Sequence, residues 1–227
     1  MRRGGRLPSE SVLLKEFGIS RTVLREALKM LQAKGLITLK QRTGGAVQEV
    51  ASWNLLDKEL LQWQTEVQPL EPFLAELWEV VLMTAPAAAG LAAHRGSSEE
   101  FKEMKAALRV MKKAGGFSEE GMKACLLLYR TVMLSSHNRL LASMESAVMH
   151  ALRIGLQVSA LQSEDQKFDL RSHRSIANAI FSRKPVRARQ LTYRLLRRTA
   201  RMTKDFDSIV GPRIVGDVES LQQEADE

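Results

Sequence analysis

Two arginines stand one helical turn apart in the sequence Gly-Ile-Ser-Arg-Thr-Val-Leu-Arg-Glu-Ala-Leu, which covers residues 18–28. They are Arg21 and Arg25, and residues four apart share one face of a helix. A guanidinium can form two parallel hydrogen bonds with a guanine edge or with a phosphate. The spacing therefore predicts a DNA contact made by one helix face, and the alternative is a face that contacts only solvent.

Small polar groups beside the arginines suit the phosphate backbone of DNA. Ser20 is the predicted N-cap of the helix. Its hydroxyl, the hydroxyl of Thr22 and the free N–H groups of the first turn could all bind phosphate. A glycine-containing hairpin tip follows at residues 41–45. It adds three candidates for contact with a groove or the backbone: Arg42, Thr43 and Gly44.

The charge distribution supports this assignment. The 227-residue chain carries 34 Lys and Arg against 26 Asp and Glu, a net charge of +8. Residues 1–50 alone hold ten basic and four acidic residues. Most of the positive charge therefore lies where a polyanion would bind, although the same charge could serve only solubility.

A helix-turn-helix with a hairpin would position these groups. Ser9 is expected to begin one short helix that ends at Gly18, and Ser20 a second that ends at Gly35. Val12, Leu13 and Phe17 would form the apolar face of the first helix. Strands are predicted over residues 36–40 and 46–50. This is the pattern of a winged helix-turn-helix, whose second helix enters the major groove.

Helical periodicity replaces the strand signals beyond residue 51. A linker helix is predicted over residues 53–64, and prolines at 69 and 72 mark a boundary. Six further helices are expected near 72–94, 98–113, 118–135, 138–160, 166–182 and 185–208. The predicted fold class is mainly α, a winged helix-turn-helix followed by an all-α antiparallel helical bundle.

Several function classes are excluded. The single cysteine, Cys125, cannot form an intramolecular disulfide, which fits a reducing cytoplasm. The longest stretch without a charge or histidine, residues 80–93, is too short to span a bilayer, and no apolar signal core follows the basic start. Motifs of hydrolases and oxidoreductases are missing. We expect a soluble cytoplasmic protein that is not an enzyme and does not contact a membrane.

Three motifs carry a family resemblance. Leu-Pro-Ser-Glu at 7–10, the arginine-bearing segment at 19–28 and Gly-Leu-Ile-Thr at 35–38 resemble the GntR family of bacterial regulators. The helical remainder resembles the FCD effector domain of the FadR-like subfamily, and residues 53–63 are similar to the linker of sugar-acid (galactonate-type) regulators. The resemblance implies a homodimer that binds a palindromic operator under the control of a small carboxylate metabolite, such as a sugar acid.

The resemblance also implies a domain organisation. Residues 1–50 would bind DNA, 51–70 would form the linker helix, 71–210 the effector-binding and dimerisation domain, and 211–227 a flexible acidic tail. Two departures lie in the first domain. Ser11 stands where the family places an arginine, and the family's first helix has no counterpart before Leu7. Without that helix, Leu14, Leu28 and Leu31 are expected to lose apolar cover.

Further departures lie in the helical domain. The family holds a metal, often zinc, at positions that correspond here to Cys125, Tyr129, His173 and Leu195. Because Cys125 and His173 alone do not make a zinc centre, no bound metal or other cofactor is expected, and zinc is the alternative. Cys125 would then be a small core residue.

The residues expected to bind the effector are also changed. Val81 and Thr84 replace the family's effector-clamping arginine and an acid, so a less polar effector, or none, is an open alternative. The remaining polar candidates are Tyr129, Asn138 and His173. Each has a structural alternative: a packed phenol, a helix cap and a core imidazole.

One basic stretch near the end of the chain has two interpretations. Residues 183–201 carry eight Lys and Arg and no acid, which favours a solvated helix face over a second nucleic-acid contact. The sequence as a whole therefore predicts an effector-responsive DNA-binding regulator, most simply a repressor. The alternative is a degenerate paralogue that acts as a helical dimerisation or interaction module.

Overall fold

A computed structural model describes residues 5–40, 44–67, 70–161 and 168–203. The chain divides into two compact units, Met1–Trp63 and Gln64–Glu227. Part of the predicted hairpin tip, the end of the last predicted helix and the acidic tail lie outside the described residues.

The first unit is a winged helix-turn-helix. It contains α1 (Glu10–Phe17), α2 (Arg21–Ala33), β1 (Ile37–Lys40) and β2 (Gly44–Val47). The two strands are antiparallel, with Ile37 opposite Val47 and Lys40 opposite Gly44. The second strand begins earlier than predicted, and a 3₁₀ turn, Val50–Ser52, occupies the predicted end of that strand. The described residues before α1 are extended rather than helical: Leu7 N–H donates to the Gly45 carbonyl.

The core of this unit corrects one expectation. Leu13, Leu24, Leu28 and Ile37 form a buried cluster, and Leu28 is only 8% exposed. The hairpin supplies Ile37, so the loss of cover predicted for Leu28 is wrong, whereas Leu14 and Leu31 are only partly buried. The predicted apolar face of α1 is also wrong in part, because Val12 and Phe17 are exposed.

Helices form the rest of the described chain. α3 (Lys58–Val67) crosses the division between the units and starts later than predicted, because Asp57 caps it. The second unit continues with α4 (Leu70–Arg95), α5 (Ser98–Ala114), α6 (Glu119–Leu134), α7 (Arg139–Ser143), α8 (Glu145–Leu161), α9 (Leu170–Phe181) and α10 (Pro185–Met202). α10 packs along α4, and α5 packs along α6. This is the predicted helical bundle.

The single helix predicted over residues 138–160 is two helices, α7 and α8. At the junction the Met144 N–H donates to the Leu141 carbonyl three residues back, and the Ser143 hydroxyl donates to the Leu140 carbonyl. A side-chain hydroxyl that bonds a helix carbonyl competes with the regular ladder of backbone hydrogen bonds. The chain turns there and starts a new helix.

α4 is the most apolar helix of the described chain. By length and composition, its segment Pro72–Arg95 could cross a membrane, but 61% of its most apolar window is buried inside the protein. Its row of alanines packs closely enough that a Cβ on Gly90 would lie 3.3 Å from the Pro185 carbonyl oxygen of α10. Burial of this kind is typical of a core helix.

Candidate nucleic-acid interface and ligand cavity

The start of α2 presents the predicted DNA-binding groups to solvent. Ser20 has extended backbone angles, and its Oγ accepts the Val23 N–H at 3.3 Å, which confirms it as the N-cap. Arg21 and Thr22 follow in the exposed first turn, which contains no acidic residue. The positive end of the helix dipole and its free N–H groups therefore face the same side as Arg21.

Arg25 lies one turn further along the same face, with its side chain 65% exposed. Its Nη2 is 3.7 Å from Glu10 Oε2 of α1, a loose and solvent-exposed ion pair. Such pairs contribute little to stability, about 0–1 kcal/mol. The Arg25 guanidinium is therefore available to a stronger partner, such as a phosphate or a guanine edge.

The hairpin supplies less of the predicted interface. Arg42 and Thr43 lie outside the described residues. Gly44 begins β2 opposite Lys40 and has a φ of 81°, a left-handed conformation that glycine adopts without strain. Among the residues that the structure describes, none lies within 4 Å of a Cβ placed on Gly44. Its backbone is therefore open at the edge of the wing.

A charged cluster that sequence reasoning missed fixes the end of α2. Lys34 is only 8% exposed, and its Nζ lies 2.6 Å from Asp57 Oδ1 and 2.7 Å from Glu59 Oε2. Asp57 Oδ1 also accepts the backbone N–H groups of Glu59 and Leu60 at the start of α3. The hydrogen bond with Asp57 raises the pKa of Lys34 and lowers that of Asp57. The acidic residues Asp57 and Glu59, which follow Trp53 in the sequence, could have indicated this cluster.

A cavity of about 620 Å³ opens in the second unit among α6, α8, α9 and α10. Most of its lining is apolar, including Leu152, Leu156 and Leu196. All four positions that the resemblance assigns to metal ligands line this cavity: Cys125, Tyr129, His173 and Leu195. The structure therefore brings these positions together, although they are far apart in the sequence.

His173 is fixed at the cavity wall by three neighbours. Its Nδ1–H donates to the Asp169 carbonyl oxygen at 2.7 Å, and its Nε2 lies 3.4 Å from Cys125 Sγ. The Phe168 ring stacks on the imidazole at 4.8 Å. Burial lowers the pKa of His173 and raises the pKa of the Cys125 thiol to about 12. Both groups are therefore neutral, and the thiol donates to Nε2.

These residues do not fit the metal that the resemblance implies. A zinc site takes about four nitrogen, sulfur or oxygen ligands, whereas among these four positions only Cys125 and His173 are usual zinc ligands and Leu195 has no donor atom. Burial raises the pKa of Tyr129 well above its usual value. Among the residues that the structure describes, three or more His, Cys, Asp or Glu do not converge anywhere in a geometry that could hold a metal.

The other effector candidates lie in different parts of the second unit. Tyr129 lines the cavity, is 3% exposed, and its hydroxyl has no hydrogen-bond partner within the described part of the chain. Asn138 lies elsewhere: its Oδ1 accepts the N–H groups of Leu140 and Leu141 at the start of α7, which is the helix-capping alternative. Val81 and Thr84 are buried in α4, outside the cavity lining.

Sequence reasoning missed an ion pair at the cavity. Arg198 Nη2 contacts Asp169 Oδ2, and both residues line the cavity. Although burial pushes the pKa of Asp169 upward, hydrogen bonds from Ser172 and Arg198 outweigh it and lower that pKa to about 2. Two spacings could have indicated the pair: Arg198 is three residues after Leu195, and Asp169 is four residues before His173.

Comparison with known families accounts for both units. Residues 1–47 match the model of bacterial regulatory proteins of the gntR family. Residues 76–198 match the FCD domain. The two matches cover the winged helix-turn-helix and the helices that enclose the cavity.

Individual proteins are similar over most of the chain. The galactonate operon transcriptional repressor of Escherichia coli is 28% identical over 204 residues, with 89% of each chain covered. An HTH-type transcriptional regulator of Mycobacterium tuberculosis is 30% identical over 211 residues, covering 89% of this chain and 83% of the relative.

Solved structures share the fold. The Listeria monocytogenes protein Lar, which controls expression of the agr system, has a TM-score of 0.58 at 18% identity, covering 89% of this chain and 87% of its own. A GntR protein of Streptococcus agalactiae has a TM-score of 0.53 at 17% identity, covering 88% of this chain and 91% of its own.

Proposed function

The chain belongs to the GntR family of bacterial regulatory proteins and carries an FCD domain, and on this premise we propose that it is a sequence-specific transcriptional repressor. Its operator affinity would respond to a small carboxylate metabolite. The relatives are transcriptional regulators, and we propose that this chain likewise has no catalytic activity and acts in the cytoplasm.

One observation carries the DNA-binding part of the proposal. The capped N-terminus of α2 presents Arg21, Thr22 and Arg25 to solvent on one side, as a helix that enters the major groove requires. The Ser20 hydroxyl accepts the capping bond and keeps its own proton to donate to a phosphate. We assign base contact to Arg25 and phosphate contact to Ser20, Arg21 and Thr22, with Arg42, Thr43 and Gly44 of the wing reaching the adjoining backbone.

Replacement of Arg25 tests this assignment. Arg25→Ala should weaken operator binding by about 1–3 kcal/mol and relax the preference for one base pair. Lys102→Ala is the matched control, because Lys102 is an equally exposed cation on α5 in the second unit. Operator titrations by fluorescence anisotropy would measure both variants. Equal affinity of Arg25→Ala and the parent protein would mean that α2 is not the recognition helix.

A two-fold symmetric assembly would suit a recognition helix of this kind. One recognition helix reads few base pairs, and a homodimer on a palindromic operator doubles the readout. We therefore propose a homodimer, to be measured by light scattering with and without a palindromic duplex. A monomer that binds a single half-site at the same affinity would contradict it.

The helical unit would carry the effector response. The relative from Escherichia coli is named for the galactonate operon, so sugar acids are the first class of carboxylate to test for release of DNA. Tyr129 and His173 are the proposed contacts in the cavity, and Asn138 is the third residue to test. If no DNA duplex binds specifically, the alternative function, a helical dimerisation or interaction module, would be favoured.

A further inference from the structure

The cavity has lost the chemistry that would chelate a polar ligand. Cys125 Sγ and His173 Nε2 are each other's hydrogen-bond partners at 3.4 Å, and His173 Nδ1 donates to the Asp169 carbonyl oxygen. Leu195 contributes only a hydrocarbon surface at the fourth position. At this wall the polar atoms of Cys125 and His173 are already paired, and Leu195 offers no donor atom to the hydroxyl and carboxylate groups of a hydroxy acid.

One buried donor beside the cavity has no partner within the described residues. The Tyr129 hydroxyl is buried and makes no hydrogen bond within the described residues. Buried hydroxyls in folded proteins are nearly always hydrogen-bonded. The phenol O–H can therefore donate to an oxygen atom of a bound ligand.

The Arg198 guanidinium can exchange its partner Asp169 for a ligand. The Arg198 side chain is 56% exposed and contacts Asp169, which also accepts two hydrogen bonds from Ser172, at 2.9 and 2.7 Å. Asp169 would therefore remain hydrogen-bonded if Arg198 turned to a carboxylate. The charged residues of the lining are Asp169, Arg171 and Arg198, so the cavity has one excess positive charge. A ligand with a single negative charge matches it.

The remaining surface favours an apolar body. The hydroxyls of Ser159 and Thr199 donate to backbone carbonyls of their own helices, at Gly155 and Leu195. Neither hydroxyl has a proton left to donate to a ligand, and most of the other lining is hydrocarbon, so a ligand with many hydroxyl groups would find few donors for its oxygen atoms. A volume of about 620 Å³ suits a small organic molecule.

We propose that the cavity binds, without a metal ion, a small monocarboxylate with an apolar body, whose acid group pairs with Arg198 and whose second oxygen accepts from Tyr129. This inference rests on the proposed effector response. It narrows the effector from carboxylates in general, sugar acids included, to apolar monocarboxylates.

Isothermal titration calorimetry on the full-length protein tests the proposal with octanoate and phenylacetate as probes and with gluconate and galactonate as polar comparisons. Binding of an apolar acid should be unchanged by prior treatment with EDTA. Arg198→Gln should weaken it about ten- to hundredfold, as expected for a lost charged hydrogen bond, and Tyr129→Phe about two- to tenfold. Arg194→Gln, an exposed arginine one turn away on α10, should leave it unchanged.

Three results would overturn the proposal: tighter binding of the sugar acids, loss of binding after EDTA with recovery on adding zinc, or equal affinity of the Arg198→Gln and Arg194→Gln variants. Absence of binding by all four acids would overturn it as well. Operator titration of the same preparation distinguishes failure of the cavity proposal from failure of the proposed regulator function. Intact specific DNA binding would leave the proposed regulator standing, whereas its loss would remove the proposed function itself.

Discussion

Gly35 follows the end of α2 at a point where the backbone approaches another segment very closely. Its φ is 75°, and a Cβ at this position would lie 2.1 Å from the Ser52 carbonyl oxygen. Gly18 closes α1 with a similar φ of 62°, but a Cβ there would meet nothing within 4 Å in the described part of the chain. An alanine at Gly18 would therefore introduce backbone strain alone, whereas an alanine at Gly35 would introduce both backbone strain and a steric clash.

The expected magnitudes follow from this difference. An alanine forced into the left-handed region costs about 1–2 kcal/mol, so Gly18→Ala should lose about that much. Gly35→Ala carries the same cost, and the carbonyl of Ser52 must also move by about 1 Å to reach an acceptable contact. That movement would strain the bond from the Asn54 N–H to the Lys34 carbonyl. We expect a total loss of about 3 kcal/mol or more.

Hydrogen–deuterium exchange is the suitable assay, because it reports each unit separately. Peptides of α1, α2 and the hairpin should exchange much faster in Gly35→Ala and modestly faster in Gly18→Ala. Peptides of α4 and α10 in the second unit should be unchanged in both variants. Equal protection of the two variants would refute the steric reasoning about Ser52.

Three other predictions concern buried polar groups. Lys34→Met should destabilise the first unit by about 1–3 kcal/mol in urea unfolding, because it leaves Asp57 unpaired, and a double-mutant cycle with Asp57→Asn should recover part of that loss. Cys125 should react with a thiol reagent only after unfolding, since its thiol is buried and its pKa is about 12; fast native-state labelling would contradict this. Burial lowers the pKa of His173 in the folded protein, so as the pH falls the imidazole is protonated in the unfolded chain before it is protonated in the folded one. The melting temperature should therefore be constant above about pH 6.5 and should decrease below it. His173→Gln should reduce that slope, although His150 acts in the same direction.

Local chemistry made much of the first unit predictable. Ser9 and Ser20 cap α1 and α2 as expected, and Gly18 and Gly35 follow the ends of these helices as expected, both with a positive φ. Each of these features depends on residues within one turn of the chain. The burial of Leu28 depends instead on Ile37 of the hairpin, a tertiary contact that the helix pattern does not contain.

The cavity shows the same limit more clearly. The family resemblance brought together the positions of Cys125, Tyr129 and His173, which the structure places around one cavity. The pair of Arg198 and Asp169 spans 29 residues, and the spacing on each helix places one partner at the cavity without showing that the two residues meet. Asn138 looked like a polar ligand in the sequence, but its side chain is engaged by the first turn of α7.

The central claim is that α2 reads a specific DNA sequence through exposed arginines. The most direct measurement is a fluorescence-anisotropy titration of the purified protein with the DNA upstream of its own gene and with a scrambled duplex, each at two salt concentrations. Specific binding that weakens steeply with salt, as phosphate contacts release counterions, is the predicted result. Equally weak binding of both duplexes at both salt concentrations would contradict the account.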